Sequence, residues 1–134
     1  MGRIIGYAYV VADLLHFGHL LHLENCKRMC DILVVGVLTN KATMEKKPEP
    51  IMSFDERLSI ISALRCVDAA VTQETYSPLN NIYDIKPDIL FESSSHDNPT
   101  VNPFGRTVEM PYYINQSSTK IKRRILEEEH ANRN

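Results

Sequence analysis

"ADLLHFGHLLHLENC", residues 12–26, is the stretch on which the reading of this chain turns. Upstream, "RIIGYAYVV" (residues 3–11) places β-branched and aromatic residues on both parities, as a strand buried on both faces does. Downstream, from Gly18 to about Cys30, Leu20, Leu21, Leu23 and Met29 alternate with Glu24, Lys27 and Arg28 at helical spacing. A strand therefore hands over to a helix across His16, Phe17, Gly18 and His19, with Asp13 just before them. In an open parallel sheet, ligands collect at the carboxyl ends of strands, where the next helix offers unpaired N–H groups and the positive end of its dipole. Gly18 lets the backbone approach a ligand closely. An imidazole donates one N–H when neutral and two when protonated, so His16 and His19 suit charge developing on a phosphate oxygen. A single histidine here would read as a structural group beside a tight turn; the pair at the junction favours an anion site.

The same alternation continues along the chain. "DILVVGVLT" (31–39) is a second continuous apolar run and completes a βαβ unit. A polar stretch at 40–50 follows, holding Lys41, Lys46 and Lys47 and two prolines. Ser53 with Glu56 three residues later forms a capping box ahead of "RLSIISALR". "VDAAVT" reads as a short strand, "SPLNNIYDI" as a short helix, "PDILFE" as a fourth strand and "RTVEMPY" as a fifth. A last helix runs from Ser117 or Ser118 into "STKIKRRILEEEH", and "HANRN" is expected to fray. The pattern predicts one α/β domain over 1–134, a doubly wound, parallel, five-stranded Rossmann-like sheet between two helical layers, with no repeats.

Composition narrows the partners. With 134 residues, 43% of them apolar, the chain can bury one core. A net charge of −2 gives no global pull toward nucleic acid or an anionic membrane, so an anion site must be built locally. No run reaches the ~18 apolar residues of a membrane span. Three cysteines, an odd number, argue against a disulfide framework and for a reducing, cytoplasmic setting.

Two further features point to phosphate. Helix dipoles favour acids in the first turn and bases in the last. The final helix inverts this order: Lys120, Lys122, Arg123 and Arg124 crowd its start, while Glu127, Glu128 and Glu129 lie near its end. A solvated face with Arg123–Glu127 and Arg124–Glu128 pairs would explain the charges. A polyphosphate bound at Ser117, Ser118 and Thr119 would offset the inversion. The lysine loop at 41–47, at the carboxyl end of the second strand, could close over such a ligand, although lysines are ordinary in exposed loops.

"HFGH" (16–19) and "SSTKIK" (117–122), in this order on an α/β pattern, resemble the HxGH nucleotidyltransferase superfamily and its second signature, Ser-(Ser/Thr)-Thr-x-(Ile/Leu). The similarity runs from about residue 4 to 126 and is strongest to the small cytidylyltransferases, such as the glycerol-3-phosphate enzyme and domains of phosphonate and phosphocholine-type pathways. "VGVLTN" (35–40), "PIMSFDER" (50–57), "TQET" (72–75), "KPD" (86–88) and "PYY" (111–113) look like further landmarks. The resemblance implies transfer of a nucleotidyl group, CMP from CTP first and AMP from ATP as the alternative, to a small phosphate- or phosphonate-bearing acceptor, with pyrophosphate leaving. It implies His16, His19 and Lys47 as catalytic residues. Contacts to the nucleotide would come from Val11, Ala12, Asp13, Gly18, Lys46, Arg57, Ser93, Tyr112, Ser117, Ser118 and Thr119. Mg²⁺ would ride on the triphosphate without protein ligands, and a homodimer is expected by resemblance. Asp68 matches an acidic position after the second helix.

The departures concern specificity. "SSSH" (93–96) stands where close relatives carry Gly-Asp-Asp-Trp, Asn40 stands at a commonly acidic position, Val10, Val11 and Ala12 replace Gly-Thr-Phe, and Tyr112-Tyr113 replaces Arg-Thr. A nucleotide-binding module with altered turnover is the reading from another class. A metal site on the stripe His22, Cys26 and Cys30 competes with plain helix packing, and nucleic-acid binding is not expected because the basic cluster lacks interleaved aromatics.

Overall fold

A computed structural model describes residues 2–93, 100–111 and 118–133. In chain order the elements are β1 (Ile5–Val10), α1 (Phe17–Arg28), β2 (Ile32–Leu38), α2 (Asn40–Thr43), α3 (Phe54–Ser62), β3 (Ala69–Gln73), α4 (Leu79–Ile85), β4 (Ile89–Ser93), β5 (Arg106–Met110) and α5 (Ser118–Arg133). The strands form one sheet in the order β3-β2-β1-β4-β5, and every pairing is parallel. This is the doubly wound α/β architecture that the alternating pattern predicts. Two local expectations change. The stretch read as a loop at 40–50 begins with the short helix α2, because Thr39 Oγ1 caps it by accepting from the Ala42 amide at 3.0 Å. The last helix continues through "HANR" to Arg133. No helix among the described residues is long and apolar enough to cross a membrane.

Strand parity builds the two outer layers. On one face, Ala8, Leu33, Val35, Val37, Ile89 and Phe91 pack with Leu23 and Cys26 of α1 and Ile61 of α3. On the other, Tyr7, Val34 and Leu90 pack with Ile82 of α4. Both parities are apolar because both faces are covered, and each enclosed aliphatic side chain contributes ~1.5–3 kcal/mol. One buried position has no side chain for a specific reason: a Cβ on Gly36 would collide with the Tyr7 hydroxyl. That hydroxyl donates to Gln73 Oε1 at 2.5 Å and accepts from Asn81 Nδ2 at 2.9 Å, so the enclosed phenol is satisfied. Burial pushes the Tyr7 pKa up.

The two edges of the sheet differ chemically. At the amino edge, Asp31, Asp68 and Asp88 each stand just before a strand and accept from the amide of a neighbouring segment: Ile4 at 2.7 Å, Leu33 at 2.7 Å and Ile5 at 2.9 Å. Asp68 also binds Lys27 Nζ at 2.7 Å. These bonds hold the Asp68 carboxyl below its ordinary range, first the Lys27 ammonium and then the Leu33 amide. Asp68 is thus a strand-start clamp at the amino ends of the strands, the turn or capping role open to an acid at that position. At the carboxyl edge, β1 and β4 share only the pairs Gly6–Ile89 and Tyr7–Leu90, whereas β1 and β2 pair over six residues. The strands part where the order reverses, which is where a doubly wound sheet opens its crevice.

Candidate active site

The spacing of the two histidines has a structural cause. His16 is the N-cap of α1 and His19 is its third residue, and together they make a capping box from two imidazoles. His16 Nδ1 accepts from the Gly18 amide at 3.0 Å, and His19 Nδ1 accepts from the His16 amide at 3.2 Å. With both Nδ1 atoms held as acceptors, each neutral ring carries its proton on Nε2. The rings lie 4.0 Å apart between centroids. Burial, then His16, His22 and Lys47, lower the His19 pKa to about 3 against the opposing pull of Asp13, and burial lowers that of His16. At neutral pH the pair is therefore uncharged, and its available donors are the two Nε2–H groups.

The loop that delivers His16 is held tightly. Ala12 (φ 60°) and Leu14 (φ 52°) both sit in the left-handed region, which disfavours a side chain by roughly 1–2 kcal/mol each. Between them, Asp13 is 3% exposed, and its carboxylate accepts from the Ile51 amide at 2.9 Å, the Met52 amide at 3.0 Å and Lys122 Nζ at 2.5 Å. Burial alone would raise its pKa; the Lys122 ammonium and the two amides outweigh it and lower it. The Lys122 contact brings the start of α5 to within one ion pair of the residue three positions ahead of His16. The beginnings of α1 and α5 therefore share one side of the sheet's carboxyl edge.

Arg57, expected to reach the nucleotide, is instead fully enclosed. Its Nη1 donates to Val11 O and Leu38 O, both at 2.7 Å, its Nη2 to Asn40 Oδ1 at 2.6 Å, and its Nε to Met52 O at 3.3 Å. It ties the carboxyl ends of β1 and β2 to the 52–57 turn. Asn40 supplies a neutral acceptor, so none of these four partners neutralises the guanidinium. Burial lowers the Arg57 pKa while the Asp13 charge raises it.

The lysine loop separates into two parts. Lys47 acts electrostatically on His19, and its own pKa falls through desolvation and the nearby Lys122 ammonium. Lys46 instead lies over the Tyr76 ring, 5.0 Å from its centroid, and neighbouring Glu45 accepts from the Tyr76 amide at 3.0 Å. Lys41 is exposed on α2. Of the remaining expected residues, Val11 contributes its carbonyl to Arg57, Ala12 packs its methyl into the core, Gly18 is buried in the first turn of α1, and Ser93 ends β4 beside the crevice. Ser118 and Thr119 begin α5, but their side chains, together with Tyr112, Ser117 and His96, lie outside the described residues. The sulfur stripe is packing: Cys26 is buried in the core and its thiol is pushed up by burial, Cys30 Sγ donates to Cys26 O at 3.4 Å, and His22 Nε2 is 3.9 Å from Cys26 Sγ.

A family model described as cytidylyltransferase-like matches residues 9–124, which span every site element named above. The chain belongs to the cytidylyltransferase-like family. Bifunctional protein HldE of Campylobacter fetus is 34% identical over 122 residues, 88% of this chain and 27% of that protein. HldE of Syntrophotalea carbinolica is 31% identical over 135 residues, 94% of this chain and 28% of that protein. The chain spans little more than a quarter of the length of these curated relatives. Among solved structures, the lipopolysaccharide core biosynthesis protein from Thermoplasma volcanium superposes with a TM-score of 0.77 at 26% identity, covering 84% of this chain and 99% of that one. Pantoate-beta-alanine ligase from Francisella tularensis shares the fold, with a TM-score of 0.55 at 12% identity.

Within this cytidylyltransferase-like domain, sequence reasoning missed two features. Lys122 was one of four bases at the start of the last helix, and only its ion pair with Asp13 singles it out. Tyr9 and Glu92 were read as strand residues. They meet across the opening between β1 and β4, where Tyr9 Oη donates to Glu92 Oε2 at 2.6 Å and the Thr100 amide donates to Glu92 Oε1 at 3.2 Å. The signal for Glu92 is an acid one position before the end of β4, after three apolar residues.

Proposed function

We propose that this domain transfers a nucleotidyl group, CMP from CTP in the first reading, to a phosphate or phosphonate oxygen of a small acceptor. The acceptor oxygen attacks the α-phosphorus in line, the bond from that phosphorus to the bridging oxygen breaks, and pyrophosphate leaves with the electron pair. The observation that supports this most is the imidazole capping box: two neutral rings with Nδ1 satisfied, beside the cations Lys47 and Lys122, at the carboxyl edge of β1. Such chemistry needs positioning and charge neutralisation more than a covalent nucleophile. His16 and His19 donate from Nε2 to the oxygens of the reacting phosphate, where charge builds in the transition state. Lys47 neutralises the departing phosphates, and Gly18 with the start of α5 cradles the chain of phosphates. Mg²⁺ belongs to the same reading. Asp13, whose charge acts on His19, is already engaged by two amides and an ammonium, a donor set that suits a cation carried by phosphate oxygens and water. When bound, it would neutralise charge on the leaving pyrophosphate. The free cysteines suit a reducing cytoplasm; a homodimer rests on the resemblance alone.

AMP transfer from ATP is the second reading. It is favoured by "SSSH" at 93–96, which lacks the two acids and the tryptophan of close cytidylyltransferases. Pyrophosphate release from CTP and from ATP, each with Mg²⁺ and a panel of sugar, polyol and amino-alcohol phosphates and phosphonates, separates the two. His16→Ala or His19→Ala is expected to lower turnover about 100-fold or more with the fold retained. A double alanine variant with full turnover would overturn the assignment, and binding without pyrophosphate release would favour a nucleotide-binding module.

A further inference from the structure

We propose that Asp13 is a positioning residue: it acts through Lys122 to seat the start of α5 across the pocket from the histidine pair, and does not itself touch the nucleotide. The inference rests on the nucleotidyl-transfer reading above and assigns how its second phosphate-binding element is held. Asp13 Oδ2 accepts from both Lys122 Nζ (2.5 Å) and the Ile51 amide (2.9 Å), and Oδ1 accepts from the Met52 amide (3.0 Å). The group is 3% exposed, so a ligand would have to displace these partners to reach it. Around it the backbone is fixed on both sides: Arg57 holds Val11 O, and the Leu14 amide donates to Met52 Sδ at 3.3 Å. The carboxylate is thus a rigid post. By contrast α5 has little apolar anchorage, with Ile125 54% and Leu126 65% exposed. Its first turns are dense in positive charge, and the Lys122 ammonium lowers the Lys47 pKa. An element repelled by its neighbour and weakly packed needs an opposite charge to stay at the pocket, and Asp13 supplies it from the loop that places His16. The two anion-binding helix starts are thereby registered against each other through one carboxylate.

Asp13→Asn keeps one acceptor oxygen, enough for either the Ile51 or the Met52 amide, and removes the charge that holds Lys122; Lys122→Met removes the same ion pair and leaves both amide bonds in place. Amide hydrogen exchange, measured on the full chain without ligand, is expected to accelerate about tenfold or more in residues 118–124, while α1 and α3 hold their protection. Lys122→Met should reproduce the change, Lys122→Arg should restore most of the protection, and the double variant should be no worse than either single one. In turnover, KM for the nucleoside triphosphate should rise about tenfold with kcat within threefold, as expected when binding is weakened uniformly. If Asp13→Asn does not fold, Lys122→Met and Lys122→Arg carry the same comparison. Unchanged exchange in α5, or multiplicative losses in the double variant, would overturn the inference. A wild-type chain that binds neither CTP nor ATP would instead sink the functional reading, while the exchange result would still decide the role of Asp13.

Discussion

Acidification should unfold this domain by a route that runs through His19, and the size of the effect follows from the capping box. In the folded chain His19 titrates at about 3, and the ordinary value is 6.5. The unfolded state therefore binds a proton that the folded state refuses throughout the window between those values. The stabilisation is complete above pH 6.5 and is lost as pH falls toward 3, at about 1.4 kcal/mol per pH unit for one group. From pH 7.5 to pH 5 this amounts to about 2 kcal/mol from His19 alone. His16 and His22, both lowered by burial, act in the same direction. The difference between wild type and His19→Gln isolates the one site. Glutamine suits the third position of a capping box, because its amide oxygen can accept from the His16 amide as Nδ1 does now. Urea unfolding at pH 7.5, 6.5, 5.5 and 5.0 should show the variant losing about 2 kcal/mol less than wild type between the extremes. Equal losses in the two proteins would mean that the folded imidazole accepts a proton freely. The argument for a locked, neutral donor pair would then fail.

The other expectations are more local. Lys47→Ala should raise KM for the nucleoside triphosphate about tenfold or more with little effect on the unfolding midpoint; unchanged kinetics would move the role to Lys41 or Lys46. Arg57→Met should cost roughly 3–5 kcal/mol in chemical denaturation, since it strips donors from the carbonyls of Val11, Leu38 and Met52 and from Asn40 Oδ1. A loss below 1 kcal/mol there would contradict its role in tying the ends of β1 and β2 to the 52–57 turn. Gly36→Ala should destabilise by roughly 2 kcal/mol or more, because its methyl takes the place of the Tyr7 hydroxyl. In the Tyr7→Phe background the same substitution should cost clearly less, and additive losses would refute the packing argument.

Much of the fold was legible because burial on both faces leaves a plain trace. β1 and β2 are apolar on both parities, and Ser53 with Glu56 caps α3 as the pattern predicts, with the Glu56 amide donating to Ser53 Oγ at 3.2 Å. The start of α1 was legible at His16 and His19, whose three-residue separation is itself a rule of helix starts. Residue type alone does not fix direction. Arg57 and Lys46 have the chemistry of phosphate ligands, yet backbone carbonyls enclose one and the Tyr76 ring holds the other. Asp68 matches an acidic position of the family, and the structure binds it to the Leu33 amide and Lys27 at the amino ends of the strands.

By itself the sequence determined the alternation of strands and helices, the helix start built from two histidines, and the presence of a second cationic helix start far along the chain. Those follow from local periodicity and capping, which act over a few residues. Only the tertiary structure decided which charges meet. Asp13 and Lys122 are more than one hundred positions apart and form one ion pair, and Tyr9 and Glu92 close the gap between strands that are adjacent only in space. Long-range pairing depends on strand order and on the direction of each side chain, and neither is carried by spacing along the chain.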